Sequence, residues 1–448
     1  MKQVLFEDAL RIAIEAASQL RSSGGHDVRL VRDMVGRIRF VLNLHRDRIF
    51  PGDIASLVDA TKVLGPYAAS QAVLTRDDFA DADAVFADPS WHATFTIAKG
   101  ADGAVTSTVP VMDRQVTGQD WLRGHLPAGE SRRAHRVVFH GLKGGVGRST
   151  SLAMVAYGLA RRSRRVLVVD FDLESPGLSS ILLPAERMAS VGLVDWFVED
   201  AVGQGDAIID DMVSTSPLAD TTIGEIRVAA AAGRDDAAYL DKLSRVYGDL
   251  PGPAGPRRCA DRMLDIVEKL EASVRPDLIL IDSRAGLHDL AAAAIVRLAD
   301  TALLFSTGGA QSQVGYRQLF THWQRRPDVA REVRERLAMV RALLPATQRE
   351  RMVTAFRQDA YELFAETLYD ELPACVMGEE TDAPAGFHPS LQDEAAPHWP
   401  ILVDWDERFQ EFDPRVMVSG GGIGDTFVDA TFGALIDWVD TRTRGAMT

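Results

Sequence analysis

Apolar and polar positions follow one rhythm before about residue 130 and another after it. In the first stretch, Phe6 to Leu20 repeats its apolar residues at helical spacing. Val28 to Leu42 alternates as two short strands, VRLVRD and RIRFVL, around Met34-Val35-Gly36. Ile54 to Tyr67 is helical again, and Trp91 to Ile97 and Ser107 to Met112 read as strands. These elements predict a small α/β or α+β domain over residues 1–130, for sensing, docking or regulation. Its arginines, Arg29, Arg32, Arg37 and Arg39, are expected on a solvated sheet face rather than around a ligand. Leu126 to Arg133 is polar and turn-rich, the expected linker.

From Arg136 onward, apolar strands alternate with helical patterns. Strands are expected at 136–139, 165–169, 226–231, 278–281, 301–305 and 337–344. Helices are expected at 152–160, 193–201, 235–247, 260–272, 289–298 and 316–323. Continuous apolar strands between helices predict a mostly parallel, doubly wound sheet covered on both faces, an α/β fold over residues 131–448. Its core is expected at 136–344, with a C-terminal extension at 345–448. There Cys375 to Pro400 reads as a long polar loop. His388 and His398 fit no metal-ligand spacing and are expected at the surface. Ile401 to Asp404 is a late strand, and Ser419 to Gly422 a flexible link to a last helix, Phe427 to Arg442. That helix carries Phe427, Val428, Phe432, Leu435, Ile436 and Val439 against Asp429, Asp437 and Asp440. Its acidic face would be repelled by anionic lipid, so the apolar stripe is expected to pack in a core or a dimer.

Composition narrows the function classes. A chain of 448 residues calls for more than one core, and 46% apolar with 25% charged residues is an ordinary globular balance. No stretch suits a membrane span or a secretory leader, so the expected location is cytoplasmic. Cys259 and Cys375 are too few and too far apart for a disulfide framework or a zinc site. A net charge of −15 disfavours nucleic-acid binding by the whole surface. The densest basic cluster, Arg161-Arg162-Ser163-Arg164-Arg165, reads as a solvated helix end.

Between the strand at 136–139 and the helix at 152–160 lies His140-Gly141-Leu142-Lys143-Gly144-Gly145-Val146-Gly147-Arg148-Ser149-Thr150. Strand, glycine-rich loop and helix are the setting a phosphate-binding loop requires. Gly144, Gly145 and Gly147 permit a tight turn that brings N–H groups to phosphate oxygens, and the helix offers its positive end. The Ser149 hydroxyl is placed for Mg²⁺. KGGVGRST resembles the deviant Walker A loop, KGGxGK[ST], of the ParA/MinD-type ATPases. The resemblance implies ATP and Mg²⁺ as ligands, with phosphate contacts from Gly144 through Thr150, Val146 included. It also implies that Lys143 is the signature lysine that reaches across an ATP-bound dimer. Only six lysines stand against 43 arginines in the chain, and one of them is Lys143. Two departures are Leu142, where many loops carry a first glycine, and Arg148, where the usual phosphate-binding lysine stands. A planar guanidinium does not replace a point-like ammonium, which predicts slow hydrolysis.

Two further segments resemble the same family in the right order. Asp170-Phe171-Asp172 resembles the segment in which an Asp, here Asp172, orients the attacking water; Asp170 and Glu174 are expected merely to cap a loop. LILIDSRAGL, residues 278–287, resembles the Walker B and switch II run, with Asp282 on Mg²⁺ and Gly286 at the switch. Arg284, where relatives commonly carry Pro, either contacts phosphate or pairs with a carboxylate. Three functions follow: an ATP-hydrolysing, dimerising switch that docks a protein partner; a nucleotide sensor with little turnover; or a DNA-partition ATPase, which the acidic charge disfavours.

Overall fold

The computed structural model describes residues 3–88, 90–91, 95–100, 103–107, 109–115, 117–124, 134–234, 236–252, 255–371, 386–410, 413 and 424–444. The expected linker at 126–133, the link at 419–422 and the first part of the 375–400 loop lie outside the described residues. Two compact units emerge: residues 1–122 with 321–327, and residues 123–320 with 328–448.

The first unit begins with helix α1 (Phe6–Gly24), strands β1 (Val28–Arg32) and β2 (Ile38–Leu42), helix α2 (Pro51–Leu64) and strand β3 (Ala68–Leu74). Helix α3 (Ala82–Ala87), strands β4 (Phe95–Gly100) and β5 (Gly103–Ser107), and β6 (Val111–Asp113) complete it. Asp33 builds the β1–β2 turn by accepting from the Val35 and Arg37 amides. The sheet order is β3-β2-β1-β6, and β4 pairs with β5 apart from it. Ala9, Leu10, Ala13 and Ala17 of α1 join Leu57 and Leu64 of α2 over Val28, Leu30, Ile38 and Phe40. The expected solvated arginine face holds only in part: Arg37 is exposed and Arg39 partly so. Arg32 is buried and held by Asp113 on the neighbouring β6, and Arg29 binds Asp27. Strand β3 was not legible because Ala68-Ala69-Ser70-Gln71 lacks the branched residues that mark strands.

The second unit is built on an eight-stranded sheet. Its strands are β7 (His135–Gly141), β8 (Arg165–Phe171), β9 (Val213–Thr215), β10 (Glu225–Ala229), β11 (Leu278–Ser283), β12 (Thr301–Ser306), β13 (Leu337–Leu344) and β14 (Ile401–Asp404). The spatial order is β14-β13-β12-β7-β11-β8-β10-β9, all parallel except β9 against β10. This is the expected mostly parallel α/β sheet. Its helices are α4 (Arg148–Arg161), α5 (Leu178–Leu182), α6 (Leu193–Ala201), α7 (Tyr239–Leu243), α8 (Cys259–Val274), α9 (Asp289–Ala292), α10 (Ala310–Trp323), α11 (Pro327–Arg334), α12 (Arg349–Thr367) and α13 (Asp425–Arg444).

Alternate strand residues, Val137, Phe139, Val166, Val168, Leu278, Leu280, Leu303 and Phe305, join a core under α4 and α13. The residues between them, such as Val138, Leu167, Val169, Ile279 and Ile281, are equally buried, as a sheet covered on both faces demands. The α13 stripe packs in this core through Val428, Phe432, Leu435, Ile436 and Val439. The basic cluster at the end of α4 is solvated in part, with Arg162 and Arg165 exposed, but Arg164 is buried and Arg161, Arg162 and Arg164 are paired with α13 carboxylates. Arg161 binds Asp429; Arg162 reaches Asp437 and Asp440; Arg164 also reaches Asp440. Acidic residues that argued against a membrane face are thus partners of those arginines, Asp440 buried and Asp429 and Asp437 at the surface.

His398 is fully buried, with Nδ1 2.6 Å from the Tyr369 hydroxyl, and His388 is half-buried against the Asp370 carbonyl. The expectation of two surface histidines fails because the aromatic side chains of Tyr361, Tyr369 and Phe387 close around this segment.

Candidate nucleotide site

The parallel strands end together, and their carboxyl ends carry the residues singled out by the motifs. This edge is where open α/β sheets bind ligands. β7 runs into the loop 142–147, β8 into Asp172, and β11 into Asp282. Register sets the spacing: Asp282 of β11 stands opposite Phe139 of β7 and Asp170 of β8.

The loop turns where glycine is required. Gly145 and Gly147 have φ of 73° and 77°, conformations that side chains rarely adopt, and Gly147 caps the start of α4. A Cβ at Gly144 or Gly145 would meet nothing within 4 Å, so the loop backbone borders open space. Val146 turns its side chain into the core. Lys143 is half-buried, and among the described residues its ammonium has no hydrogen bond or ion pair, whereas Lys62, Lys242 and Lys269 are all paired.

Ser149 donates to Asp282 Oδ2 at 2.7 Å. The two residues expected on one cation therefore touch. Arg148 lies across both acidic strand ends. Its Nη2 donates to Asp172 Oδ2 at 2.7 Å, and its Nε stands 2.5 Å from Asp282 Oδ1 without hydrogen-bond alignment. Asp172 Oδ1 is buried with no hydrogen-bond partner. Burial works against the Arg148 charge, but Asp282 and Asp172 outweigh it and raise its pKa. Burial raises the Asp282 pKa against the pull of Arg148 and Ser149. Burial and neighbouring Asp282 push Asp170 up to about 7.

Hard oxygens from Ser149 and Asp282, with an orphaned carboxylate oxygen at Asp172, fit a divalent cation such as Mg²⁺. Among the described residues no three His, Cys, Asp or Glu side chains converge as a ready-made metal cage, so other ligands would have to come from nucleotide or water.

Several participants were not legible as such. Asp170 does more than cap a loop: it lies buried beside Asp282 and accepts from the Ser179 hydroxyl at 2.9 Å and amide at 3.3 Å. Glu174 is a junction. It pairs with Arg284, accepts from the Tyr247 hydroxyl and lies 3.4 Å from His288 Nε2. Of the two readings of Arg284, this arrangement has the carboxylate pair. Tyr239 donates to the Leu173 carbonyl at 2.5 Å. The segment after β8 is thereby tied to residues 239–247 and to the segment after β11. There Gly286, at φ 86°, donates its amide to the Gly141 carbonyl at 3.0 Å.

Solved structures with a similar course include a ParA family ATPase from Chlorobium tepidum, at 16% identity over 68% of this chain and 98% of that one, with a TM-score of 0.40. The pNOB8 ParA structure matches at 16% identity over 70% and 99%, with a TM-score of 0.42. The septum site-determining protein MinD of Helicobacter pylori is 30% identical over 165 residues, 37% of this chain and 50% of that protein. The chloroplastic Fe-S cluster assembly factor HCF101 of Arabidopsis thaliana is 38% identical over 65 residues, 14% and 12% respectively. The chain thus spans half or less of the curated relatives it matches. Residues 137–295 match the CobQ/CobB/MinD/ParA nucleotide binding domain. These residues hold β7 from Val137 on, the loop, α4 and both acidic strand ends, and over them the chain carries a nucleotide-binding domain of the CobQ/CobB/MinD/ParA kind.

Proposed function

We propose that this domain binds ATP with Mg²⁺ and hydrolyses it, and that ATP drives a homodimer that docks a protein partner. The observation that supports this most is the Ser149–Asp282 contact of 2.7 Å beside a glycine loop that borders open space. Loop amides from Gly144 to Thr150 would take the phosphates, helped by the α4 dipole. Bound Mg²⁺ supplies charge neutralisation on the phosphates. Ser149 and Asp282 hold that cation. Asp172 orients water, an interaction that matters chiefly in the transition state. Arg148 takes phosphate of its own subunit, and Lys143 that of the opposite one. Gel filtration and turnover with ATP, ADP and no nucleotide test the reading. ATP-driven dimers with turnover are expected; failure to bind ATP would sink it. Equal affinity with and without Mg²⁺ would remove the roles of Ser149 and Asp282.

A second reading, a nucleotide sensor with little turnover, is favoured by Arg148 engaging both acidic residues that hydrolysis would use. Tight ATP binding without phosphate release would select it. DNA partition gains no support here, since Arg161, Arg162 and Arg164 are already paired with α13 carboxylates.

A further inference from the structure

Arg148 is the first residue of α4, directly before the Ser149 that touches Asp282. Its guanidinium reaches sideways to two strand ends at once, Asp172 after β8 and Asp282 in β11. It is 8% exposed, and Asp282 is 1% exposed. Asp282 offers both oxygens, Oδ2 to Ser149 and Oδ1 to Arg148 Nε. Those are the atoms a cation would need. The guanidinium meets Asp282 at ion-pair distance without hydrogen-bond alignment, while Asp172 retains an unpartnered oxygen. An internal cation therefore neutralises the two carboxylates but leaves one oxygen of each, Asp172 Oδ1 and Asp282 Oδ1, without a hydrogen bond.

We infer that Arg148 is an internal competitor of the divalent cation. It occupies one oxygen of each carboxylate, Asp172 Oδ2 and Asp282 Oδ1, so metal gains those two only after the guanidinium has moved away. Phosphate is the natural trigger, because an anion in the loop offers Arg148 alternative charge-assisted hydrogen bonds. Binding then has an order: anion first, tight metal second. A lysine cannot serve equally, since a single ammonium does not span two carboxylates as a planar fork does. The idea rests on the proposed Mg²⁺ site but not on turnover.

Equilibrium dialysis of Mn²⁺ against the full chain without nucleotide tests it. Mn²⁺ shares the oxygen preference of Mg²⁺. The parent is expected to bind Mn²⁺ at least tenfold more weakly than Arg148→Ala, with Arg148→Lys in between. Adding Asp282→Asn to Arg148→Ala should abolish the gain. Inorganic pyrophosphate should raise Mn²⁺ affinity of the parent more than that of Arg148→Ala. Arg148→Ala leaves two buried carboxylates without their counter-ion; should it fold poorly alone, its melting temperature should rise steeply with Mn²⁺ while the parent's stays flat. Equal Mn²⁺ affinity of parent and Arg148→Lys would overturn the inference, as would an Arg148→Ala that binds no tighter or stays unfolded in Mn²⁺. Titration of the parent with ATP and Mg²⁺ is a separate arm. Its failure would sink the proposed function but leave the competition standing, since the dialysis contains no ATP.

Discussion

Gly158 of α4 and Ile436 of α13 approach so closely that no side chain fits between them. A Cβ at position 158 would lie 2.6 Å from Ile436 Cδ1, 2.9 Å from Cγ2 and 3.0 Å from Cγ1. Both branches of the isoleucine are involved, so no single rotamer change relieves the clash. Gly158→Ala gains about 1 kcal/mol in helix propensity, but overpacking costs about 1–3 kcal/mol. A net loss is expected in urea unfolding, and Gly158→Ala should cost less in an Ile436→Ala background than in the parent. Unchanged stability of the single variant would mean α13 can shift away.

Asp172→Asn should lower ATP turnover at least tenfold, about 1.4 kcal/mol in the barrier, with nucleotide affinity changed far less. The asparagine can still accept from Arg148, so the ground-state contact at 2.7 Å is largely kept. Turnover at the parent rate would remove Asp172 from the chemistry.

Lys143→Ala and Arg148→Ala should separate two roles in one loop. Arg148→Ala should weaken nucleotide binding by about 1.5–3 kcal/mol, the range of a charge-assisted hydrogen bond. Lys143→Ala should leave monomer affinity nearly unchanged and abolish ATP-driven dimers on gel filtration. The same binding loss in both, with no difference in oligomeric state, would make each a simple contact within its own subunit.

His140, in β7, is fully buried beside Ser283, and burial with the nearby Arg148 charge lowers its pKa to about 3. Its folded pKa lies below the unfolded value of 6.5, so the unfolded chain binds the proton more readily. The contribution of the neutral ring is complete above pH 6.5 and is lost as pH falls toward 3. The slope is at most about 1.4 kcal/mol per pH unit. His140→Gln, which does not titrate, should flatten acid unfolding between those limits. Parallel pH profiles would show that the ring is protonated in the fold.

A protein starting near Ser131 should bind nucleotide, since every candidate site residue lies in the second unit. It would carry residues 321–327 without the rest of their unit. Trp323 is fully buried and donates its indole N–H to the Trp121 carbonyl at 2.9 Å. Truncation should therefore expose an indole, and soluble quenchers should reach an added fraction of the tryptophan emission. Unchanged quenching would mean that Trp323 finds other cover.

The motifs exposed Ser149, Gly147 and Asp282 because their chemistry is local in sequence: a turn that needs glycine, and an acidic residue ending an apolar strand. Glu174 was read as a loop cap because Tyr247, Arg284 and His288 meet it only through the fold. The reach of Arg148 to Asp282 likewise depends on register between strands, which a linear pattern does not carry. Helix α12 was missed although its buried positions, Phe356, Ala360, Leu363 and Phe364, stand at helical spacing within a mostly polar surface. The expected helix at 235–247 forms only over Tyr239–Leu243, α7, and the hydroxyls of Tyr239 and Tyr247 bond to Leu173 and Glu174.

The discontinuous first unit has a consequence for synthesis. Domains generally fold as units while the chain leaves the ribosome. Here residues 1–122 emerge early, but 321–327 appear only after the loop, α4 and strands β7 to β12 have been made. Until then the Trp121 carbonyl lacks its indole donor and the apolar surface that Trp323 covers is open to chaperones. Completion of the amino-terminal unit is thus timed by translation of the nucleotide-binding sheet, and a ribosome stalled before codon 321 would release neither unit in its finished form.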